Sequence, residues 1–402
     1  MPHSANKLDV TIEKLIYGGD GLARLNGQVV LAPFVLPGEH ATVETLERKP
    51  GLLRSRIVSL HSSAPERVDP RCPYFTRCGG CHYQHAAYDA QLVFKRDILA
   101  ETLRRVGKIE PPADIRMVAA DPWQYRNRAQ FHIENGAIGY LEARSNRLCA
   151  IDHCPISSPR INQVIAVLRQ MLRDARWPRF VHALEIFTNE DHVQLNVLES
   201  ERPVAQRFFD WCAEAIPGFV PGALEYEVAG ASYRVSGGSF FQVNRFLVDR
   251  MIPEALGDAQ GSAALDLFSG VGLFTLPLAR RFAKVTAVES GSGALRDLQW
   301  NADRAAVAID PQQRSVDEFL SGLTAAPDFV LADPPRSGLG KFAVRELVRL
   351  GAPLLTIIAC DPATLARDLA ALISGGYKLD ALTVIDLFPQ TYHIETIARL
   401  SR

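Results

Sequence analysis

The chain has 402 residues, 47% of them hydrophobic and 22% charged, with a formal net charge of −1. These values describe a globular protein of two or three domains and exclude a polycation, so a nucleic-acid partner has to be held by local basic patches. No apolar run approaches a membrane span and the opening residues lack a signal core, giving the expectation of a cytoplasmic, non-membrane protein, and the odd count of seven cysteines disfavours a disulfide framework.

Residues 8–60 read as all-β. A strand over 9–12 precedes the glycine-rich turn Tyr17-Gly18-Gly19-Asp20-Gly21. Asn26-Gly27 is a hairpin signal before the strand at 28–32, and two more strands follow near 41–46 and 52–60. Short strands at this density fit a small OB-like β-barrel, a fold that often binds oligonucleotides. Arg48, Lys49, Arg54 and Arg56 place positive charge on its last hairpin.

Next comes Cys72-Pro73-Tyr74-Phe75-Thr76-Arg77-Cys78-Gly79-Gly80-Cys81-His82. Three cysteines spaced C-x5-C-x2-C among glycines are a strong metal-site signal. Cys154 is the better candidate for the fourth ligand and Cys149 the runner-up; four thiolates suit structural zinc or an iron–sulfur cluster, and spacing alone does not separate them. A helical pattern then runs over 88–107 and stops at Gly107. Residues 115–240 read as mixed α/β. A strand over 125–133 interleaves basic and aromatic residues, so Arg126 and Arg128 are candidate RNA contacts, or simply an exposed strand face. Helices are expected over 162–176 and 203–216, and a hairpin over 183–198.

The last part alternates apolar strands with helical stretches, the pattern of a doubly wound sheet. Leu265-Asp266-Leu267-Phe268-Ser269-Gly270-Val271-Gly272 runs from a strand into Gly-x-Gly, and a second strand ends in Glu289 about twenty residues on. Thr275 stands where a dinucleotide fingerprint has its third glycine, which favours S-adenosylmethionine over NAD. Later strands end in Asp333-Pro334-Pro335-Arg336, in Cys360-Asp361-Pro362 and, at the start of the last one, in His393-Ile394-Glu395. A cysteine and a carboxylate thus come to the strand-end edge where open α/β sheets handle ligands.

These motifs, with Phe241-Gln242-Val243-Asn244, together resemble the RNA 5-methyluridine (uracil-carbon-5) methyltransferases of the branch with an N-terminal TRAM domain and an iron–sulfur cluster, similar to the 23S rRNA enzymes. The resemblance covers nearly the whole chain. It implies a multidomain α/β protein: a TRAM domain over 1–62, an α+β central domain over 63–240, and a Rossmann-like class I methyltransferase domain over 241–402, with part of 91–120 packing on the last. It implies a [4Fe-4S] cluster on Cys72, Cys78, Cys81 and Cys154. Cofactor contacts would fall on Gln242, Phe268, Gly270, Gly272, Glu289, Asp317 and Asp333. Cys360 would be the nucleophile, Glu395 the general base, and Phe240 an aromatic near the target base in RNA. Asp361 departs from the family's common Asn and could raise the thiol's pKa, and Leu273 replaces a frequent Asn beside the cofactor. The expected reaction is S-adenosylmethionine-dependent methylation of uridine carbon 5 by a monomer, in ribosomal RNA rather than transfer RNA. An amino-group methyltransferase is the alternative that Asp-Pro-Pro allows.

Overall fold

The computed structural model describes residues 7–402; residues 1–6, on which part of the reading of the opening residues rests, lie outside it. The chain divides into two compact units. One comprises Met1–Glu101, Leu141–Cys149 and Phe388–His393, and the other Thr102–Tyr140, Ala150–Leu387 and Ile394–Arg402.

The first unit is built on six strands: β1 (Lys7–Thr11), β2 (Lys14–Leu15), β3 (Asp20–Leu25), β4 (Gln28–Pro33), β5 (His40–Lys49) and β6 (Leu52–Ser62). They pair in the order β1-β5-β6-β4-β3-β2, antiparallel except for the parallel pair β4 and β6. Asn26 and Gly27 both take positive φ, the conformation that lets a two-residue turn follow the strand twist. Alternating residues of these strands, among them Val10, Val30, Val43 and Leu53, form one apolar core with Ile12. Glu39 is fully buried at its rim. It accepts the backbone N–H groups of Leu36 at 2.7 Å and Ala64 at 3.2 Å and pairs with Arg67 at 2.5 Å.

The cysteine-bearing segment of this unit is a series of tight turns, closed by N–H bonds from Phe75 to the Cys72 carbonyl and from Cys78 to the Tyr74 carbonyl. The helix after it, Tyr88–Thr102, buries Gln91 and Lys95 completely. Both are polar, and both are satisfied by residues 388–390. Gln91 exchanges two bonds of 3.0 Å with Gln390, and Lys95 donates to the Phe388 carbonyl at 2.9 Å. The N–H groups of His82 and Tyr83 both donate to the Gln390 carbonyl.

The second unit holds an eight-stranded sheet. Its order is Asp310–Gln313, Phe282–Glu289, Gly261–Leu267, Phe329–Ala332, Leu354–Ala359, Glu395–Ser401, Lys378–Ile385 and Ile115–Val118. All neighbours are parallel except Glu395–Ser401, which runs antiparallel to both of its partners. Chain order reverses beside Gly261–Leu267, which makes a topological switch point there. The edge strand Ile115–Val118 was not foreseen, because four residues carry no periodicity. The helical stretch before it changes to one π-helical turn at Leu103–Gly107. Gly107 is required by close approach: a Cβ there would stand 2.8 Å from the carbonyl oxygen of Ala366.

An antiparallel sheet in the same unit includes Arg128–Glu134, Val181–Thr188 and Val193–Ser200. The helix expected over 162–176 is Pro159–Met171. The Ser158 hydroxyl caps it and Pro159 opens it, an entry signal the periodicity did not register. No helix of the described residues is long and apolar enough to cross a membrane.

Candidate active site at the carboxyl edge of the parallel sheet

Strand Leu354–Ala359 is buried and apolar, and it ends where Pro362 cannot extend the ladder. Cys360, half-buried, emerges at that end. The neighbouring strand runs the other way, with Leu354 facing Ser401 and Ala359 facing Thr396. Cys360 and Glu395 are the residues next to that last pair on the two strands, and the charge of Glu395 acts on the thiol. Glu395 is 7% exposed. Its carboxyl is held well above the usual range, by burial first and by the charge of Asp333 second, with Arg336 opposing.

The Cys360 thiol is likewise pushed up to about 11. Burial is the main cause and Glu395 the next, while Arg336 pulls the other way. Asp361 is not among these causes. Its carboxylate caps the helix Pro362–Ser374, accepting the N–H groups of Ala363 and Thr364 at 2.9 Å each. The charge of this departure from the family pattern is spent on the helix N-terminus instead of on the sulfur.

Two strands away, Asp266 is buried with Oδ2 bonded to the Thr275 hydroxyl at 2.5 Å and Oδ1 without a hydrogen-bond partner. Burial, the Asp333 charge and the Glu289 charge push its carboxyl up to about 7. Asp333 keeps part of its surface open to solvent, yet protein crowds the carboxyl enough to push it to about 7 as well. Glu289 is oriented by two backbone donors, Gly270 at 3.0 Å and Gly291 at 2.6 Å. The turn between these strands needs its glycine. Gly272 has φ +94°, and a Cβ there would come within 2.4 Å of Leu298. Phe268 takes positive φ in the same turn, and the Ser269 hydroxyl is buried without a partner. Leu273 is buried, and its carbonyl accepts the Tyr233 hydroxyl at 3.3 Å.

Residues 236–245 are pinned from both sides. Ser236 and Ser239 donate to Asp297, Phe241 packs among Tyr226, Tyr233 and Phe187, and the Asn244 amide donates to the Leu387 carbonyl at 3.2 Å. In this stretch Gln242 is buried, whereas Phe240 is 64% exposed. Asp317 lies exposed in the first turn of the helix Val316–Gly322.

Arg126 is half-buried, its backbone bridging Ser157 and Asn244. Arg128 is buried. Its guanidinium donates to Glu185 at 2.7 Å and to the Ser239 carbonyl at 2.6 Å and lies over the Phe187 ring, so its charge is engaged inside the protein. Two groups outside the sequence-derived site come into it here. Arg336 is the cation that favours ionisation of both Cys360 and Glu395, and Asp266 is the carboxyl with an unsatisfied oxygen. The signal for Arg336 was its place after a strand-ending Asp-Pro-Pro.

The cysteines are placed less tellingly. Cys72, Cys78 and Cys81 are half-buried on the turn-rich loop, where the Gly80 N–H points at the Cys78 sulfur from 3.4 Å. Buried Cys149 receives the Arg77 guanidinium at 3.2 Å. In the other unit, buried Cys154 receives the Tyr140 hydroxyl at 3.9 Å. Among the described residues no group of three or more His, Cys, Asp or Glu is arranged to hold a metal ion.

A TRAM domain model matches residues 6–58 and a tRNA (uracil-5-)-methyltransferase model matches residues 218–402. The 23S rRNA (uracil(1939)-C(5))-methyltransferase RlmD of Halomonas elongata is 32% identical over 436 residues, covering 99% of this chain and 90% of that protein. The RlmD of Pectobacterium atrosepticum is 32% identical over 422 residues, covering 98% and 93%. The crystal structure of Pyrococcus abyssi tRNA (uracil-54, C5)-methyltransferase with S-adenosyl-L-homocysteine aligns with a TM-score of 0.77 at 26% identity, covering 98% of this chain and 100% of that one. The chain belongs to the S-adenosylmethionine-dependent RNA uracil-5 methyltransferases that carry an N-terminal TRAM domain.

Proposed function

We propose that this enzyme methylates carbon 5 of one uridine in 23S ribosomal RNA through a covalent adduct on Cys360, with Glu395 as the base that completes turnover. The observation that carries the mechanism is that Cys360 and Glu395 adjoin the last pair of neighbouring strands, Ala359 with Thr396, and that the charges of Glu395, Arg336 and Asp333 all act on the thiol. Carbon 5 of uracil is too weak a nucleophile to take a methyl group unaided. Addition of the Cys360 thiolate to carbon 6 makes the ring an enolate, and its carbon 5 then takes the methyl. Glu395 removes the carbon-5 proton, the ring double bond re-forms and the carbon–sulfur bond breaks, returning the thiolate. A carboxyl held well above its usual range is a strong base once ionised, which suits that last step.

S-adenosylmethionine supplies the methyl group on a positively charged sulfur. The cleft suits such a cation: Asp266, Asp333 and Glu395 crowd together with raised pKa values, and Asp266 Oδ1 and the Ser269 hydroxyl are buried without partners. Gln242, Phe268, Gly270, Gly272, Glu289, Asp317 and Asp333 would hold it, Glu289 offering its second lone pairs to the ribose. Exposed Phe240 would stack on the extruded base, with Arg126 near the RNA backbone. In this division of labour residues 1–62 hold RNA, residues 63–240 form the central domain and residues 241–402 carry the reaction, in a cytoplasmic monomer.

Cys72, Cys78, Cys81 and Cys154 would supply the four thiolates of a [4Fe-4S] cluster. This reading rests on residue type and spacing, and no step of the reaction passes through the cluster. Iron and sulfide analysis of protein purified without oxygen tests it, with four of each per chain expected and none contradicting it.

Ribosomal RNA is favoured over transfer RNA because relatives named for 23S rRNA align along almost their whole length. Mapping 5-methyluridine in total RNA from cells with and without the gene tests substrate and product together. A missing 23S mark supports the reading; loss confined to transfer RNA, or of an N-methylated base, contradicts it.

A further inference from the structure

The second unit carries a groove that the methyl-transfer site does not use. It lies between residues 175–180, the segment 201–205 and the helix Gln206–Ala215, and encloses about 960 Å³. Four arginines line it: Arg176, Arg179, Arg202 and Arg207. Two of them are stacked, with the Arg202 guanidinium 4.3 Å from the Phe180 ring centre and that of Arg176 4.3 Å from Trp211. Three carboxylates also line the groove: Glu201, which faces His182, Asp210, which accepts the Gln206 amide, and Glu214. Arg176 is matched by Asp174, whereas Arg179, Arg202 and Arg207 have no carboxylate at ion-pair distance among the described residues. Trp177, 5% exposed in the wall, has its indole N–H buried without an acceptor.

Unpaired arginines beside aromatic faces are what single-stranded RNA is held by: cations along the phosphates, and ring or guanidinium planes under the bases. The cavity has the size of a small-ligand site, room for a nucleotide or two. We propose that this groove is a second RNA-binding site, taking an unpaired stretch of the substrate with phosphates on Arg179, Arg202 and Arg207 and a base stacked against Phe180 or Trp211. It lengthens the hold on substrate without touching the reacting base.

The test uses the full-length protein, a fluorescein-labelled single-stranded uridine 12-mer and fluorescence anisotropy between about 50 and 200 mM salt. The triple variant Arg179→Ala/Arg202→Ala/Arg207→Ala should bind about tenfold or more weakly, with the salt slope smaller by about 2, since each single-strand phosphate contact contributes about 0.7. The triple Lys variant should recover that slope, and Trp211→Leu should weaken binding at least about fivefold with the slope intact. On RNA lacking the modification, the triple Ala variant should show a raised KM and an unchanged kcat. Unchanged 12-mer affinity and slope in the folded triple variant overturns the groove proposal, as does a protein self-association that the triple variant abolishes without any change in RNA binding. Absence of methylation by the wild type would instead strike the functional reading, so the two failures are distinguishable.

Discussion

Glu39 in the barrel and Glu395 at the sheet edge are both buried glutamates, and their surroundings drive them in opposite directions. Burial raises both. At Glu39 the Arg67 guanidinium and the Leu36 and Ala64 amides outweigh burial and hold the carboxyl below its ordinary value. At Glu395 no such set of donors is present among the described residues, Asp333 adds to the effect of burial, and Arg336 offsets only part of it. A buried charge that is fully matched stabilises a fold, whereas one that is left under-matched is held in readiness for a ligand or a proton. The barrel glutamate belongs to the first kind. The cleft, with Asp266, Asp333 and Glu395 all raised, belongs to the second.

The comparison can be broken most severely at the sulfur. Cys360→Ala should lower turnover by about 10⁴-fold or more while leaving cofactor affinity within about threefold, because only a bond-forming group is removed. Appreciable residual 5-methyluridine formation would end the nucleophile assignment. Breaking the matched pair is the next largest effect. Arg67→Ala strands a buried carboxylate that keeps two amide donors, and should cost about 2–3 kcal/mol of stability in urea unfolding. Glu39 has a depressed folded pKa, so its contribution is present above about 4.5 and lost as pH falls through the folded value. The Arg67→Ala deficit should therefore shrink in acid, and a deficit that grows there would contradict the assignment.

In the cleft the signs reverse. Asp266 and Asp333 titrate near 7 instead of 3.8, so the folded state binds extra protons and stability falls as pH rises across that window. Binding of the cationic cofactor at pH 6.5 should release on the order of one proton, readable by calorimetry in buffers of different ionisation heat. Proton uptake would contradict the picture. The smallest effect concerns the thiol. With its pKa near 11, iodoacetamide alkylation of Cys360 should accelerate about tenfold per pH unit between 7 and 10, and Arg336→Ala should slow it a few-fold by removing the cation that favours the thiolate.

How much of this could be read before the fold was seen differs between regions for physical reasons. The strand ends at Asp333, Cys360 and Glu289 were legible because β-branched runs stop at Pro or Gly. The adjacency of the strands that bear Cys360 and Glu395 was not, since it depends on one antiparallel strand inserted among parallel ones, and no local pattern encodes that neighbour. Arg128 looked like an exposed basic residue on an alternating strand; its partner Glu185 lies 57 residues away and buries it. The groove arginines gave no motif, because the segments that bring them together are separated by the strands Val181–Thr188 and Val193–Ser200. The cysteine loop is the opposite case: its donors are plain in the sequence, whereas the structure among the described residues shows turns and no gathered ligand set.

The pairing of thiol and carboxylate is tested most directly by incubating Glu395→Gln enzyme with S-adenosylmethionine and unmodified RNA and analysing the products under denaturing conditions. Methyl transfer without proton removal should leave a protein–RNA adduct, mapped by mass spectrometry to Cys360 and carrying the added methyl. An inactive variant with no adduct, or full release of 5-methyluridine, would contradict the account.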